Sequence, residues 1–138
     1  VLGRRIERQT DEVELQTVVD RETLLEMQRA IEQVYVAESI QAYCVDLVAA
    51  TRESQAVAVG ASPRGTLALL KLARCKAALA GRDHVLPDDV KAIAVPALGH
   101  RLVLRPELWV QRVSADDVVR SVIEGVPTPR AEDVTAVP

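Results

Sequence analysis

The feature that most constrains the fold is a helix signal marked at both ends. Ser62 stands at the N-cap position, and Pro63 takes the first helical position, where its missing N–H costs nothing. Leu67, Leu70, Ala73, Ala77 and Ala78 recur at helical spacing and are expected to face inward. Gly81 is placed to stop the helix, because it tolerates a left-handed backbone. A second signal follows. Pro87 opens it, and Asp88 and Asp89 in its first turn complement the positive end of the helix dipole. Val90, Ile93 and Ala94 are expected to point to the core, and Pro96 and Gly99 to end the helix.

Two helices precede this pair. Asp20 is a plausible N-cap for a segment near residues 21–33, with Leu24, Leu25, Gln28, Ile31 and Val34 near helical spacing. Next comes a helix at about residues 37–53, whose apolar stripe is Ile40, Tyr43, Cys44, Leu47, Val48 and Thr51. After Gly99, Leu102 to Leu104 is a short extended run, and residues 101–113 read either as a small β-hairpin or as irregular chain. Ser114, with Asp117 three residues on, forms a weak capping box for a last helix carrying Val118, Val119, Val122 and Ile123 and ending at Gly125. No internal repeat is visible. The expectation is a mainly α, small helical bundle over residues 20–125. Residues 1–19 read as a linker or the end of a preceding domain, with Arg4 to Arg8 closing a helix and Asp11 to Leu15 a linker or short strand. Residues 126–138 read as a disordered tail.

Composition narrows the function. The chain of 138 residues has no Phe, one Trp and two Tyr, so Leu, Val, Ile and Ala must fill the core. Few aromatics argue against stacking platforms for single-stranded nucleic acid. A formal net charge of −3 argues against general phosphate-backbone binding. No apolar run approaches the roughly 20 residues of a membrane span, and Arg4, Arg5, Glu7 and Arg8 leave no secretory signal. A cytoplasmic location with reduced, buried Cys44 and Cys75 is the reading these features support.

The segment Gly60-Ala61-Ser62-Pro63-Arg64-Gly65-Thr66 carries the chemistry. Its glycine spacing imitates a phosphate-binding P-loop, but that motif needs a Lys before the Ser or Thr, and Thr66 follows Gly65 directly. The segment also follows no clear buried strand. Arg64 instead lies in the first turn of a helix, where a cation opposes the helix dipole. An anion arriving there would meet free N–H groups, the dipole and a guanidinium together; the alternative is a solvated arginine whose cost is tolerated. Asp88 and Asp89 are adjacent and do not share a face, so they read as dipole-capping residues. His84 and His100 lack partners at metal-ligand spacing, and no metal site is expected. No nucleophile elbow or HExxH occurs.

Three motifs occur in order: Gly60-Ala61-Ser62-Pro63-Arg64, then Gly81-Arg82-Asp83-His84-Val85-Leu86-Pro87-Asp88-Asp89-Val90, then His100-Arg101-Leu102-Val103-Leu104. Together they resemble the sensor-2, GRD-x-V-x-PDDV and HRL elements in the carboxy-terminal lid domain of MoxR-family AAA+ ATPases. The resemblance covers about residues 20–107. It departs from the family at Leu86, where a capping Thr is common, which puts the cap of the fourth helix in question. It implies that Arg64 is the catalytic contribution of this segment, sensing the γ-phosphate of ATP held on the nucleotide-binding domain. Ser62, Pro63 and Arg64 would approach the nucleotide, with Leu67 beside the adenine. ATP and Mg2+ would be bound mainly by that other domain, so this segment alone is not expected to turn over ATP. The implied partners are the nucleotide-binding domain of the same chain, neighbouring subunits of a hexameric ring and a client protein, with neither nucleic acid nor membrane involved. In this family the clients often carry metal cofactors or von Willebrand-type domains, and the role is chaperone-like. Two other readings stand beside it. One is a small helical protein-interaction module with no nucleotide role. The other is a helix-turn-helix DNA reader, which the charge and the lack of a basic recognition helix oppose.

Overall fold

The computed structural model describes residues 6, 15–109 and 112–130. Among residues 15–109 and 112–130, five α-helices and a two-stranded sheet make up the domain: α1 (Arg21–Glu32), α2 (Glu38–Glu53), β1 (Val57–Val59), α3 (Pro63–Leu79), α4 (Pro87–Leu98), β2 (Val103–Leu104) and α5 (Ala115–Gly125). Short 3-10 turns cover Gly99–Arg101 and Pro106–Trp109. The expected mainly α bundle is what forms. The assignments made for Arg4, Arg5, Glu7, Arg8 and residues 11–14 lie outside the described residues, as do 131–138.

The core sits between α2, α3, α4 and α5. On α2 the expected stripe is buried throughout: Ile40, Tyr43, Cys44, Leu47, Val48 and Thr51. On α3 the buried line is Gly65, Leu69, Ala73 and Ala77. Leu67, expected to face inward, is 60% exposed. The glycine at 65 explains the shift. A Cβ there would lie 3.1 Å from Leu98 and 3.3 Å from the Ala61 Cβ, so this face packs close and Leu67 turns outward. Val90, Ala94, Ala97 and Leu98 of α4 and Val119 and Val122 of α5 close the cluster.

Side-chain caps start two of the helices, α1 and α5. Asp20 Oδ1 accepts the Thr23 N–H at 2.8 Å. Ser114 Oγ accepts the Asp117 N–H while Asp117 Oδ2 accepts the Ser114 N–H, a complete capping box. Gly81 has φ +71°, the left-handed stop expected of it. One expectation changes: Pro96 does not end α4, which runs on to Leu98. Gly99 is its C-cap, as expected, with φ −53°, and the chain goes on into the 3-10 turn. Gly99 is needed for closeness, not conformation: a Cβ would stand 2.7 Å from an Asp116 carboxylate oxygen.

α1 is the outlier. Its apolar positions are spaced as expected, yet none of its residues is buried; Leu24 is 48% and Met27 50% exposed. It rests on α3, tied by Arg74, which donates to the Val34 carbonyl at 3.1 Å and pairs with Glu32 at 2.6 Å. Met27, Ile31, Val34, Cys75, Ala78 and Leu79 line an open apolar groove between the two helices.

The extended run at Val103–Leu104 is a strand, but its partner is not local. It pairs antiparallel with β1, Val57 opposite Leu104 and Val59 opposite Val103. Pro106–Trp109, in place of a second hairpin strand, is a 3-10 turn. The segment before Gly60 is thus a three-residue strand with Val57 buried and Ala58 and Val59 exposed, not the buried strand that a P-loop follows. After α5, residues 126–130 lie along α2, lining hollows with Ser39, Tyr43 and Asp46. No helix among the described residues is long and apolar enough to cross a membrane.

Candidate functional site

The segment leading into α3 is held from beneath by the last turn of α2. Thr51 is fully buried. Its hydroxyl donates to the Val48 carbonyl at 2.7 Å and accepts the Ala61 N–H at 3.0 Å. Leaving this hydroxyl unpaired in an apolar stripe would cost about 1–3 kcal/mol, which the two bonds avoid. Beside it, Gly60 lies so close to Arg52 that a Cβ would fall 2.5 Å from Arg52 Cγ and 2.7 Å from its Cα. Only glycine allows that approach. Ala61 is fully buried. The chain then emerges: Ser62, Pro63 and Arg64 are all exposed.

Ser62 occupies the N-cap position of α3 with extended dihedrals, φ −78° and ψ 169°. Its hydroxyl, expected to cap the helix, makes no capping hydrogen bond. Its carbonyl accepts the Gly65 N–H at 2.7 Å, tightening the first turn. No acidic residue lies in that turn. Arg64 has no hydrogen-bond or ion-pair partner among the described residues. Pro63, Arg64 and the exposed Leu67 one turn later lie on the opening of one helix. The positive end of the α3 dipole, an uncapped turn and a guanidinium with no partner are therefore together, an arrangement suited to an anionic oxygen.

The far end of α3 is fixed by a pair that sequence reasoning missed. Asp89, read as a dipole-capping residue, is buried and bound to Arg82 through both oxygens, at 2.6 and 2.7 Å. Arg82 also donates to the His84 carbonyl at 3.0 Å, and Asp89 accepts the Leu86 N–H at 2.9 Å. Leu86 has no side-chain acceptor, so this last bond is the half of the capping box that remains where a capping Thr is absent. Burial works to raise the Asp89 carboxyl, but the Arg82 and Leu86 hydrogen bonds and the Arg82 charge outweigh it and hold the group below its ordinary value. Asp88 points to solvent. The turn is stitched to the α1–α2 connection: the Tyr35 N–H reaches the Asp83 carbonyl at 2.7 Å, and the Val85 N–H reaches the Tyr35 carbonyl at 3.0 Å. Val85 is buried. The run from Gly81 to Val90 is thus one device that sets α4 against α3.

The remaining candidates find local partners. His84 Nδ1 lies 2.8 Å from an Asp83 carboxylate oxygen, and His100 Nδ1 lies 3.1 Å from the Pro96 carbonyl. Arg101 Nε donates to the Ala97 carbonyl at 2.9 Å. Cys44 is buried, with its thiol pushed up to about 12 by burial, and Cys75 is half-buried at the α1–α3 groove. Among the described residues no group of three or more His, Cys, Asp or Glu side chains is gathered to hold a metal ion.

Comparison with known proteins agrees with this arrangement. The family model described as the AAA lid domain matches residues 49–122, from the turn that holds Thr51 to the end of the core stripe of α5. The Bacillus subtilis protein YeaC is 37% identical over 115 residues, covering 83% of this chain and 36% of that protein. Protein MoxR of Methylorubrum extorquens is 36% identical, covering 89% of this chain and 40% of its own length. Chaperone MoxR1 of Mycobacterium tuberculosis is 35% identical, covering 83% and 32%. A crystal structure of a putative ATPase from Cytophaga hutchinsonii superposes with a TM-score of 0.82 at 28% identity, over 94% of this chain and 42% of that one. The chain thus spans well under half the length of these relatives. With the lid family matched over more than half the chain and MoxR proteins aligned over most of it, the chain belongs to the AAA lid domain family, as the lid of a MoxR-type AAA+ ATPase.

Proposed function

We propose that this domain is a sensor-2 lid that delivers Arg64 to the terminal phosphates of ATP bound on a nucleotide-binding domain of the same protein. The observation that carries the reading is Arg64 itself: exposed and without a hydrogen-bond or ion-pair partner among the described residues, over an uncapped helix turn that contains no acid. A cation at the positive end of a helix costs roughly 0.3–1 kcal/mol when nothing offsets it. An anion docking there turns that cost into attraction. Bound Mg2+–ATP supplies the phosphoryl group transferred to water. The lid's own residues position and neutralise. Arg64 places a planar, permanently charged fork where negative charge is concentrated. Pro63 fixes the backbone from which it reaches, and Leu67, exposed one turn on, offers an apolar surface to the base. The magnesium ligands, the phosphate-cradling loop and the acid that orients water are assigned to the nucleotide-binding domain. Because the grip on the γ-phosphate ends with its release, the lid rotates through the cycle. A hexameric ring, a chaperone-like action on a client protein and a cytoplasmic setting complete the proposal; the relative named a chaperone supports the second of these.

The test is Arg64→Ala in the full-length protein. ATP turnover should fall about tenfold or more, the scale of losing one charged donor to a transferring phosphoryl group. Arg64→Lys should recover part of it, since a point charge replaces a fork. Melting temperature should not fall. Unchanged turnover in Arg64→Ala would remove the residue from the reaction. It would favour the other reading, an interaction module with no nucleotide role, for which the half-covered apolar groove between α1 and α3 is the supporting observation.

A further inference from the structure

We propose that Thr51 is the positioning residue for Arg64, acting through the backbone of Ala61; the inference rests on the lid reading above. Thr51 sits in the last turn of α2, thirteen residues before Arg64 (64 − 51), fully buried, with both hydrogen-bonding capacities of its hydroxyl used. The donated bond goes down, to the Val48 carbonyl of its own helix. The accepted bond goes across, from the Ala61 N–H, three residues before Arg64. This is a side-chain hydrogen bond between the core helix α2 and the segment that launches α3.

Gly60 supplies the second constraint at the same place. Its backbone passes against Arg52, the neighbour of Thr51, closer than any side chain permits. Gly65 supplies a third, with Leu98 and Val48 closing on it. Val48 therefore recurs on both sides: its carbonyl takes the Thr51 hydroxyl and its side chain faces Gly65. The exposed Arg64 makes no hydrogen bond or ion pair among the described residues that would define where it points. Its aim is inherited from a backbone clamped by Thr51 at residue 61 and by close packing at 60 and 65. An error of about 1 Å in a reacting or stabilising group is enough to cost up to about a hundredfold in rate, so a buried hydroxyl remote from the nucleotide acquires influence over turnover.

The experiment uses Thr51→Val, which keeps the shape and removes the hydroxyl, and Thr51→Ser, which keeps the hydroxyl. Each is made in the full-length protein with Arg64 intact and again combined with Arg64→Ala. Thr51→Val should lower ATP turnover about three- to tenfold, Thr51→Ser should retain most of it, and Thr51→Val should add nothing once Arg64 is already alanine. Amide exchange at Ala61 should quicken in Thr51→Val while that of the α2 core stays slow. Gly60→Ala displaces the same segment without touching the hydroxyl and should show the same dependence on Arg64; it carries the test if Thr51→Val does not fold. Equal slowing with and without Arg64, or wild-type turnover in both Thr51→Val and Gly60→Ala, overturns the proposal. If Arg64→Ala alone has full turnover, the lid reading itself fails and the role of Thr51 goes with it, an outcome separate from failure at Thr51 only.

Discussion

Breaking the Arg82–Asp89 pair from its two sides should give unequal losses. In Arg82→Met the apolar stem is kept and the charge is lost. Asp89, whose side chain is 5% exposed, is then left with one protein donor, the Leu86 N–H. Removing one partner of a buried pair costs about 3–5 kcal/mol. Arg82 is itself 26% exposed, so water can follow it into the gap, and the low end, ~3 kcal/mol, applies. Loss of the bond to the His84 carbonyl adds about 1 kcal/mol. In Asp89→Asn the amide oxygen can still accept from Leu86, and the stranded guanidinium reaches solvent, so the loss should be about 1–2 kcal/mol. At roughly 4 °C per kcal/mol for a domain of this size, Arg82→Met should melt ~15 °C lower and Asp89→Asn ~6 °C lower. The double variant should melt above Arg82→Met, since no carboxylate is left buried alone. Thermal unfolding by circular dichroism reads all three. Equal losses, or a double variant below Arg82→Met, would refute the reasoning. The pH dependence adds a check. Asp89 in the native pair titrates below 3.8, so its contribution is complete above that value and is lost as pH falls through the lower folded value. The gap between wild type and Asp89→Asn should be constant from pH 5 to 7 and close below about pH 4. In Arg82→Met the unpaired carboxyl is raised by burial, so the folded state takes up protons more readily. Its deficit should begin to shrink above pH 4.

Other outcomes follow from single groups. The Tyr43 hydroxyl is buried and makes no hydrogen bond of good geometry among the described residues, although Thr128 stands near enough to offset part of its burial, so Tyr43→Phe should change stability by less than about 1 kcal/mol; a larger loss would mean that the hydroxyl is firmly bonded in solution. Burial pushes the Cys44 thiol to about 12, while Cys75 borders the open groove. A thiol reagent at pH 8 should modify Cys75 in the native protein and reach Cys44 only on unfolding; comparable native rates would contradict the burial.

Much of the helical framework was legible because its signals are local. Pro63 and Gly81 bracket α3 through their own dihedral limits, and Asp20 and Ser114 cap helices with side chains that reach only three residues. On α2 the periodicity named every buried residue, since that helix is covered along one whole face. The same method mis-set Leu67, and it does not say how deeply the amphipathic α1 is covered. Periodicity identifies residues that share a face but not what the face meets. α3 turns Leu69 inward because Gly65 lets α4 approach closely, and α1 has a neighbour on only part of its apolar side. Strand pairing between residues 57–59 and 103–104 was beyond reach for a similar reason, as each run is too short to carry a pattern.

The candidate site divides along the same line. That Arg64 stands at a helix opening, beyond Ser62 and Pro63, follows from sequence, because a helix start is written in residues next to one another. That the arginine has no polar partner among the described residues, that the Ser62 hydroxyl leaves the turn uncapped, that Thr51 holds Ala61 and that Arg82 grips Asp89 were decided by tertiary structure. Each of those depends on which groups lie within about 3 Å across the fold, the reach of a hydrogen bond. Spacing along the chain does not encode that distance until the helices have packed.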